Sequence, residues 1–172
     1  MTLKTTASTH LPLLLTIVSA LLFLGAYSPA GAQQISNLPD PALTPGATRT
    51  TNAAEVCATR ATRQYRGTGG VTKYQVLDRY RLPHRYSRLV ERDHLIPLEL
   101  GGADSIENQW PQPWQGRWNA TMKDDLENRL RWLVCEAPSG ARIPLPVAQE
   151  AMRTNWITAY RRYVLALASD AR

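Results

Sequence analysis

Two stretches in the second half of the chain repeat apolar residues with a helical period. Residues 118–135 place an apolar side chain every three or four positions, as one buried face of a helix requires. These positions are Met122, Leu126, Leu130 and Leu133. Residues 146–169 follow the same rule, at Ala148, Met152, Trp156, Tyr160 and Tyr163. The pattern predicts two amphipathic helices that contribute these faces to one core.

The first half of the chain predicts shorter elements. Residues 53–65 and 71–80 have helical patterns, and the glycines between residues 67 and 70 separate them. Residues 86–93 have strand character, and residues 108–111 predict a short return strand. The expected fold class is therefore α+β, mostly helical with one small β-hairpin.

The N-terminal region has the layout of an export signal. Lys4 precedes an apolar run at residues 11–25, and the small residues Ala30-Gly31-Ala32 follow it. We expect cleavage after Ala32 and a secreted or periplasmic product without stable membrane insertion; an uncleaved membrane anchor is the alternative. Residues 33–52 are rich in Pro and Thr and predict an extended arm or linker, which leaves residues 53–172 as the folded domain.

The chain is basic, with a formal net charge of +6. Its arginines are dense between residues 60 and 92, where the planar guanidinium groups suit phosphate oxygens. This density predicts a polyanionic partner, either a nucleic acid or an anionic envelope surface. The arginines expected to contact a nucleic acid are Arg79, Arg81, Arg85, Arg88 and Arg92.

Cys57 and Cys135 are the two cysteines of the chain. Export would place them in an oxidising compartment, where a disulfide is the expected state. Two unpaired buried thiols are the alternative.

The residues best suited to chemistry lie at the end of the first predicted strand, directly after it, and at the start of the second. Asp93 and His94 are adjacent, a Pro-containing and Gly-Gly-containing loop follows, and Asn108 lies fourteen residues after His94. Phosphodiester cleavage needs a base that titrates near neutral pH, which histidine provides. A divalent cation held by oxygen ligands can offset the charge that develops on the phosphate. Asp93 is therefore a candidate ligand, His94 a candidate base, and Asn108 a candidate for holding the loop.

This run, Asp-His-Leu-Ile-Pro followed by Gly-Gly and Asn108, resembles the HNH nuclease motif, whose fold is the ββα-metal finger. The segments NQWPQPW, WNATMKDDLENRL and AQEAMRTNWITAYRRY also resemble those of small exported bacterial HNH-type proteins. The resemblance implies that Asp93 binds a metal, His94 acts as the general base and Asn108 steadies the loop. The zinc-knuckle cysteines of many such proteins are absent from this chain.

The family also implies a metal ligand on the helix that follows the hairpin. No histidine follows His94, so Asn119, at the predicted start of that helix, is the preferred residue. Glu127 is the second choice as a ligand. Glu91, Lys123 and Glu127 are candidates for positions around the metal ligands, with Lys123 either contacting phosphate or pairing with Glu127.

The resulting prediction is a metal-dependent endonuclease that uses one divalent ion, Mg²⁺ or Mn²⁺. It would hydrolyse DNA, with RNA open as a second substrate, and with little sequence preference because phosphate contacts carry no base information. The main alternative is a non-catalytic exported protein that binds nucleic acid or the cell envelope. A phosphodiesterase acting on small phosphate esters is a further alternative.

Overall fold

The computed structural model describes residues 35–58 and 62–166. By its contacts the chain divides into residues 1–31 and residues 32–172, and all described residues belong to the second unit. The predicted export signal, residues 1–32, lies outside the described residues. No helix within the described ranges is long and apolar enough to cross a membrane.

The fold is α+β, and about half of the described residues are helical. The helices and strands, in chain order, are α1 (Ala53–Ala58), α2 (Lys73–Arg79), β1 (Val90–His94), β2 (Gln109–Pro113), α3 (Ala120–Cys135) and α4 (Leu145–Tyr160). The strands β1 and β2 pair in antiparallel fashion as a two-stranded sheet. The hairpin is followed by α3, so the order of elements in this part of the chain is strand, strand, helix.

Local sequence signals account for where several elements begin. Thr72 caps α2, since its side chain accepts from Gln75 while the Gln75 side chain accepts from the Thr72 backbone. Asn119 caps α3 and accepts from the Met122 N–H. The predicted helix at residues 118–135 therefore begins two residues later, at Ala120.

Two other predicted boundaries were wrong. Residues 86–88 belong to a 3-10 helix at His84–Arg88, which follows Pro83, and the strand begins only at Val90. The predicted helix at 53–65 ends by Ala58 among the described residues, and residues 63–69 form turns. The last helix, predicted at 146–169, is α-helical over Leu145–Tyr160 with a kink at Asn155 and continues as a π-helical turn at Arg161–Leu165, and its predicted end lies outside the described residues.

The main core lies between α3 and α4, as their apolar faces predict. Leu126 and Leu130 on α3, and Met152 and Trp156 on α4, are fully buried. Cys57 and Cys135 form a disulfide that joins α1 to the last residue of α3. The predicted disulfide is therefore confirmed, and such a bond fits an extracellular or periplasmic protein.

The segment predicted as an extended arm lies along the loop between the two strands. The Gly46 N–H donates to the Glu107 carbonyl over 3.0 Å, and the Arg49 N–H donates to the Gly101 carbonyl over 2.8 Å. The Thr44 hydroxyl is buried and donates to the Gln109 carbonyl over 2.9 Å. These bonds attach the segment to the same loop that follows His94.

Candidate active site

The register of the hairpin separates the two adjacent candidate residues. Asp93 lies opposite Trp110, and His94 lies opposite Gln109. Because successive side chains of a strand point to opposite faces, Asp93 and His94 leave β1 on different sides. The site therefore has two halves, the Asp93 side and the His94 side, which meet at the end of the strand.

On the His94 side, the imidazole is held by a buried carboxylate. His94 is 5% exposed, and its Nε2 lies 2.7 Å from Asp104 Oδ1. Gln109 Nε2 donates to the same oxygen of Asp104 over 2.8 Å. Since an ionised carboxylate only accepts hydrogen bonds, Nε2 of His94 must be the protonated nitrogen of the neutral ring. Nδ1 then carries the lone pair, and no described residue hydrogen-bonds to it.

The electrostatic surroundings favour this protonation state. Burial lowers the pKa of His94 below its usual value, although the hydrogen bond to Asp104 opposes the shift. Burial alone would raise the pKa of Asp104, but the hydrogen bonds from His94 and from the Gly69 N–H outweigh it and lower the pKa. Near neutral pH the pair is therefore a neutral imidazole and an ionised carboxylate, which suits a general base.

A glycine allows the segment before α2 to reach Asp104. The Gly69 N–H donates to Asp104 Oδ2 over 3.3 Å. A Cβ atom on Gly69 would lie only 1.6 Å from the Asp104 carbonyl oxygen. Any larger residue would push this segment away from Asp104 and remove one of the bonds that hold the carboxylate.

The loop between the strands is closed by Asn108. Its Oδ1 accepts from the Ile96 N–H over 2.9 Å, and its Nδ2 donates to the carbonyls of Ile96 and Ala103, each over 2.8 Å. Gly102 makes room for this arrangement, since a Cβ there would lie 1.9 Å from the Ile96 carbonyl oxygen. Asn108 is fully buried and has no contact with His94 among these bonds, so it acts on the shape of the loop.

On the Asp93 side, a buried lysine lies between two carboxylates. Lys123 Nζ is 2.7 Å from Asp93 Oδ2, contacts Glu127 Oε1 and donates to the His94 carbonyl over 2.8 Å. Burial alone would lower the pKa of Lys123, but Asp93 and Glu127 raise it above its usual range. The ammonium group therefore stays charged and ties α3 to the end of β1. Two roles were predicted for Lys123, a phosphate contact or a pair with Glu127, and the structure shows the pair with Glu127.

Burial and neighbouring charges also shift the pKa values of two further carboxyl groups on this side. Burial raises the pKa of Glu127 to about 8, against the attraction of Lys123. Burial and the nearby Asp93 and Asp124 raise the pKa of Glu91 to about 7. The Asp93 side thus concentrates more negative groups than Lys123 can neutralise, and some of them hold protons near neutral pH.

A cavity of about 280 Å³ opens where the two halves meet. Its lining is mostly polar and includes both Asp93 and His94. The full lining consists of Thr62, Arg66, Asp93, His94, Pro97, Leu98, Glu99, Asp124, Glu127 and Asn128. Asn119 is not among the lining residues. Its Oδ1 accepts from the Met122 N–H over 3.2 Å and its Nδ2 donates to the Gly116 carbonyl over 3.0 Å.

The cavity provides part of the set of oxygen ligands that a hard divalent cation needs. Trp110 Nε1 and Lys123 Nζ both contact Asp93 Oδ2, while no described residue hydrogen-bonds to Asp93 Oδ1. Mg²⁺ keeps several waters and is commonly bound through one or two carboxylates, so Oδ1 fits as one ligand. Within the described ranges, no three His, Cys, Asp or Glu side chains are grouped as metal ligands. Asn119, the other predicted ligand, uses its Oδ1 to cap α3.

The five arginines predicted to bind nucleic acid fall into two groups. Arg79 donates to the Leu43 carbonyl over 2.8 Å, and Arg92 donates to the Val71 carbonyl and to Gln109, so both hold the fold together. The other three, Arg81, Arg85 and Arg88, are exposed. Only the second group offers a guanidinium to a partner.

Comparison with known proteins identifies no relative. No family model matches the chain, and no curated protein or solved structure is significantly similar to it. The HNH resemblance therefore stays a hypothesis based on the motif.

The sequence did not single out Asp104, Gln109 or Asp124. Asp104 follows the Gly-Gly pair by two positions, and Gln109 follows Asn108 directly. One signal in the sequence could have found Gln109: it begins the second strand, where antiparallel pairing places it opposite His94. Arg66 was part of the dense arginine region but was not distinguished from its neighbours.

Proposed function

We propose that this chain is an exported HNH-type endonuclease that hydrolyses phosphodiester bonds of DNA or RNA with little sequence preference. The observation that carries the proposal is the pair formed by His94 and Asp104. It leaves Nδ1 of a neutral, buried imidazole unbonded within the described residues, at a polar cavity that Asp93 also lines.

In the proposed reaction, His94 Nδ1 takes a proton from a water molecule as its oxygen attacks phosphorus. Asp104 accepts the hydrogen bond of Nε2 and stabilises the imidazolium that forms. The P–O bond to the leaving oxygen breaks, and that oxygen takes a proton from solvent. Asn108 contributes by holding the loop that carries Asp104.

A divalent ion, Mg²⁺ or Mn²⁺, is part of the proposal. Asp93 would hold it through Oδ1, with Asn119 as the proposed second ligand after release from its cap. When bound, such an ion supplies positive charge for the phosphate and the leaving oxygen. Lys123 keeps Asp93 in place by pairing with its other oxygen.

Plasmid nicking with Mg²⁺, with and without EDTA, tests the proposal. We expect the native chain to nick plasmid only without EDTA, and His94→Ala to lower the rate by roughly 10²–10⁴. The matched control is His84→Ala, because His84 is the other histidine of the described residues and its ring is exposed. We expect this control to cut as fast as the native chain.

Other outcomes would contradict the proposal. A native chain that retards plasmid in a gel and never nicks it would be a non-catalytic binding protein. Equal nicking by His94→Ala and the native chain would exclude His94 as the base. Cleavage of a chromogenic diester without cleavage of plasmid would indicate a phosphodiesterase acting on small esters.

A further inference from the structure

Arg66 is the only arginine or lysine among the described residues that line the cavity. It is exposed and lines the cavity, and no described residue forms an ion pair or a side-chain hydrogen bond with it. The remaining ionisable lining residues are His94 and four acids, Asp93, Glu99, Asp124 and Glu127. Lys123 is fully buried between Asp93 and Glu127, so it cannot reach a ligand in the cavity.

The position of Arg66 is set by the segment that contacts Asp104. The Arg66 N–H donates to the Thr62 carbonyl over 3.2 Å, which makes it part of a turn. Three residues later, Gly69 packs directly against the Asp104 backbone and donates to its side chain. Arg66 and His94 both line the cavity. Arg66 is therefore held beside the His94–Asp104 pair.

We propose that Arg66 binds the two non-bridging oxygens of the phosphate that is cleaved, at the mouth of the cavity beside His94. The inference rests on the proposed function and names the residue that holds the phosphate. A guanidinium presents two parallel N–H donors that match two phosphate oxygens. Such a contact offsets negative charge that the acids of the lining would otherwise repel. Any phosphate dianion or diester has the chemistry to fill this position.

Inorganic phosphate is a probe that does not depend on cleavage. The imidazole NMR signals of His94 in the full chain, assigned by their loss in His94→Ala, would be followed during a phosphate titration. We expect saturable shifts in the native chain and at least about tenfold weaker binding in Arg66→Ala, as for loss of a hydrogen bond to a charged group. Arg66→Lys keeps the charge without the two-pronged geometry, and we expect intermediate binding.

Arg63→Ala is the matched control, since Arg63 is also exposed, lies three residues earlier and does not line the cavity. We expect this variant to bind phosphate within twofold of the native chain. In plasmid or oligonucleotide cleavage, Arg66→Ala should raise KM more than Arg63→Ala does.

The outcomes separate this inference from the proposed function. If the native chain never cuts but loses phosphate binding in Arg66→Ala, the nuclease proposal fails and the phosphate site stands. If Arg66→Ala and Arg63→Ala bind phosphate equally well, the inference is overturned. It is also overturned if phosphate leaves the His94 signals of the native chain unchanged.

Discussion

The two sides of the β1–β2 hairpin handle charge in different ways, although the residues that define them are neighbours. On the Asp93 side, a permanently charged lysine is enclosed by carboxylates and tied to the backbone. On the His94 side, the neutral imidazole ring donates one hydrogen bond to the buried carboxylate of Asp104. The first arrangement fixes charges in place, and the second can gain and lose a proton. Strand alternation keeps the two functions apart while both reach one cavity.

The largest effect is expected from removing the fixed charge. Lys123→Met would leave the Asp93 carboxylate without its buried cation and Glu127 without its hydrogen-bond partner, which costs about 3–5 kcal/mol. The free energy of unfolding in urea measures this loss. Lys73→Met is the control, since Lys73 contacts two backbone carbonyls and no carboxylate of a described residue; we expect a loss of about 1–2 kcal/mol. Equal losses in the two variants would contradict an ion-pair role for Lys123.

The next effect concerns the other side and appears in the rate. In Asp104→Asn, either the new amide faces Nε2 and favours the wrong tautomer of His94, or it faces the Gly69 N–H and loses that bond. We expect cleavage to slow by about 10²-fold or more, since the first arrangement disables the base and the second removes the charge that stabilises the imidazolium. Single-turnover cleavage of a labelled oligonucleotide measures this.

The chain contains a matched histidine–carboxylate pair for that experiment. Asp78 Oδ1 lies 2.7 Å from His84 Nε2 on the exposed surface, the same separation as in the His94 pair. Asp78→Asn should leave the rate unchanged. If both asparagine variants cut as fast as the native chain, Asp104 does not position the base.

The smallest effect is the pH dependence of stability, and its sign differs between the two sides. Glu91 binds a proton more tightly when folded, since its pKa is raised from 4.5 to about 7. Its contribution is complete below about pH 4.5 and is lost as the pH rises through about 7. The pKa of His94 is lowered from 6.5, so its contribution is complete above about pH 6.5 and is lost as the pH falls.

Glu91→Gln isolates the first of these trends. We expect it to gain about 1–2 kcal/mol relative to the native chain between pH 4.5 and pH 8, allowing for the half-exposed position of Glu91. Urea unfolding in EDTA at the two pH values measures the difference. Asp125→Asn, at an exposed position on α3, is the control. A gain by Glu91→Gln that is the same at both pH values would contradict the expected linkage.

Local periodicity predicted much of the fold. The buried faces of α3 and α4 were predicted because one apolar residue per helical turn is visible in any window of the sequence. The prediction of a strand was wrong at residues 86–88, because those residues belong to the 3-10 helix that follows Pro83. Asp93 and His94 could be proposed as candidate site residues because the acid and the imidazole are adjacent in the sequence.

The contacts that hold the site were harder to predict. Asp104 reaches His94 across an irregular loop whose shape depends on Asn108 and on the close packing of Gly69. Asn119 has the oxygen expected of a ligand, yet its side chain caps α3 because that position also satisfies free backbone N–H groups. Neither outcome follows from composition or spacing, since both depend on which backbone groups remain unpaired after folding.

The central claim is that Asp104 holds His94 as a neutral ring with its proton on Nε2. The most direct test is the ¹⁵N chemical shift of each ring nitrogen of His94 in labelled protein, followed between pH 5 and 8. We predict a protonated Nε2 and an unprotonated Nδ1 at pH 7, with a pKa below about 6.5. A proton on Nδ1 of the neutral ring, or an imidazolium that persists above pH 7, would contradict the account.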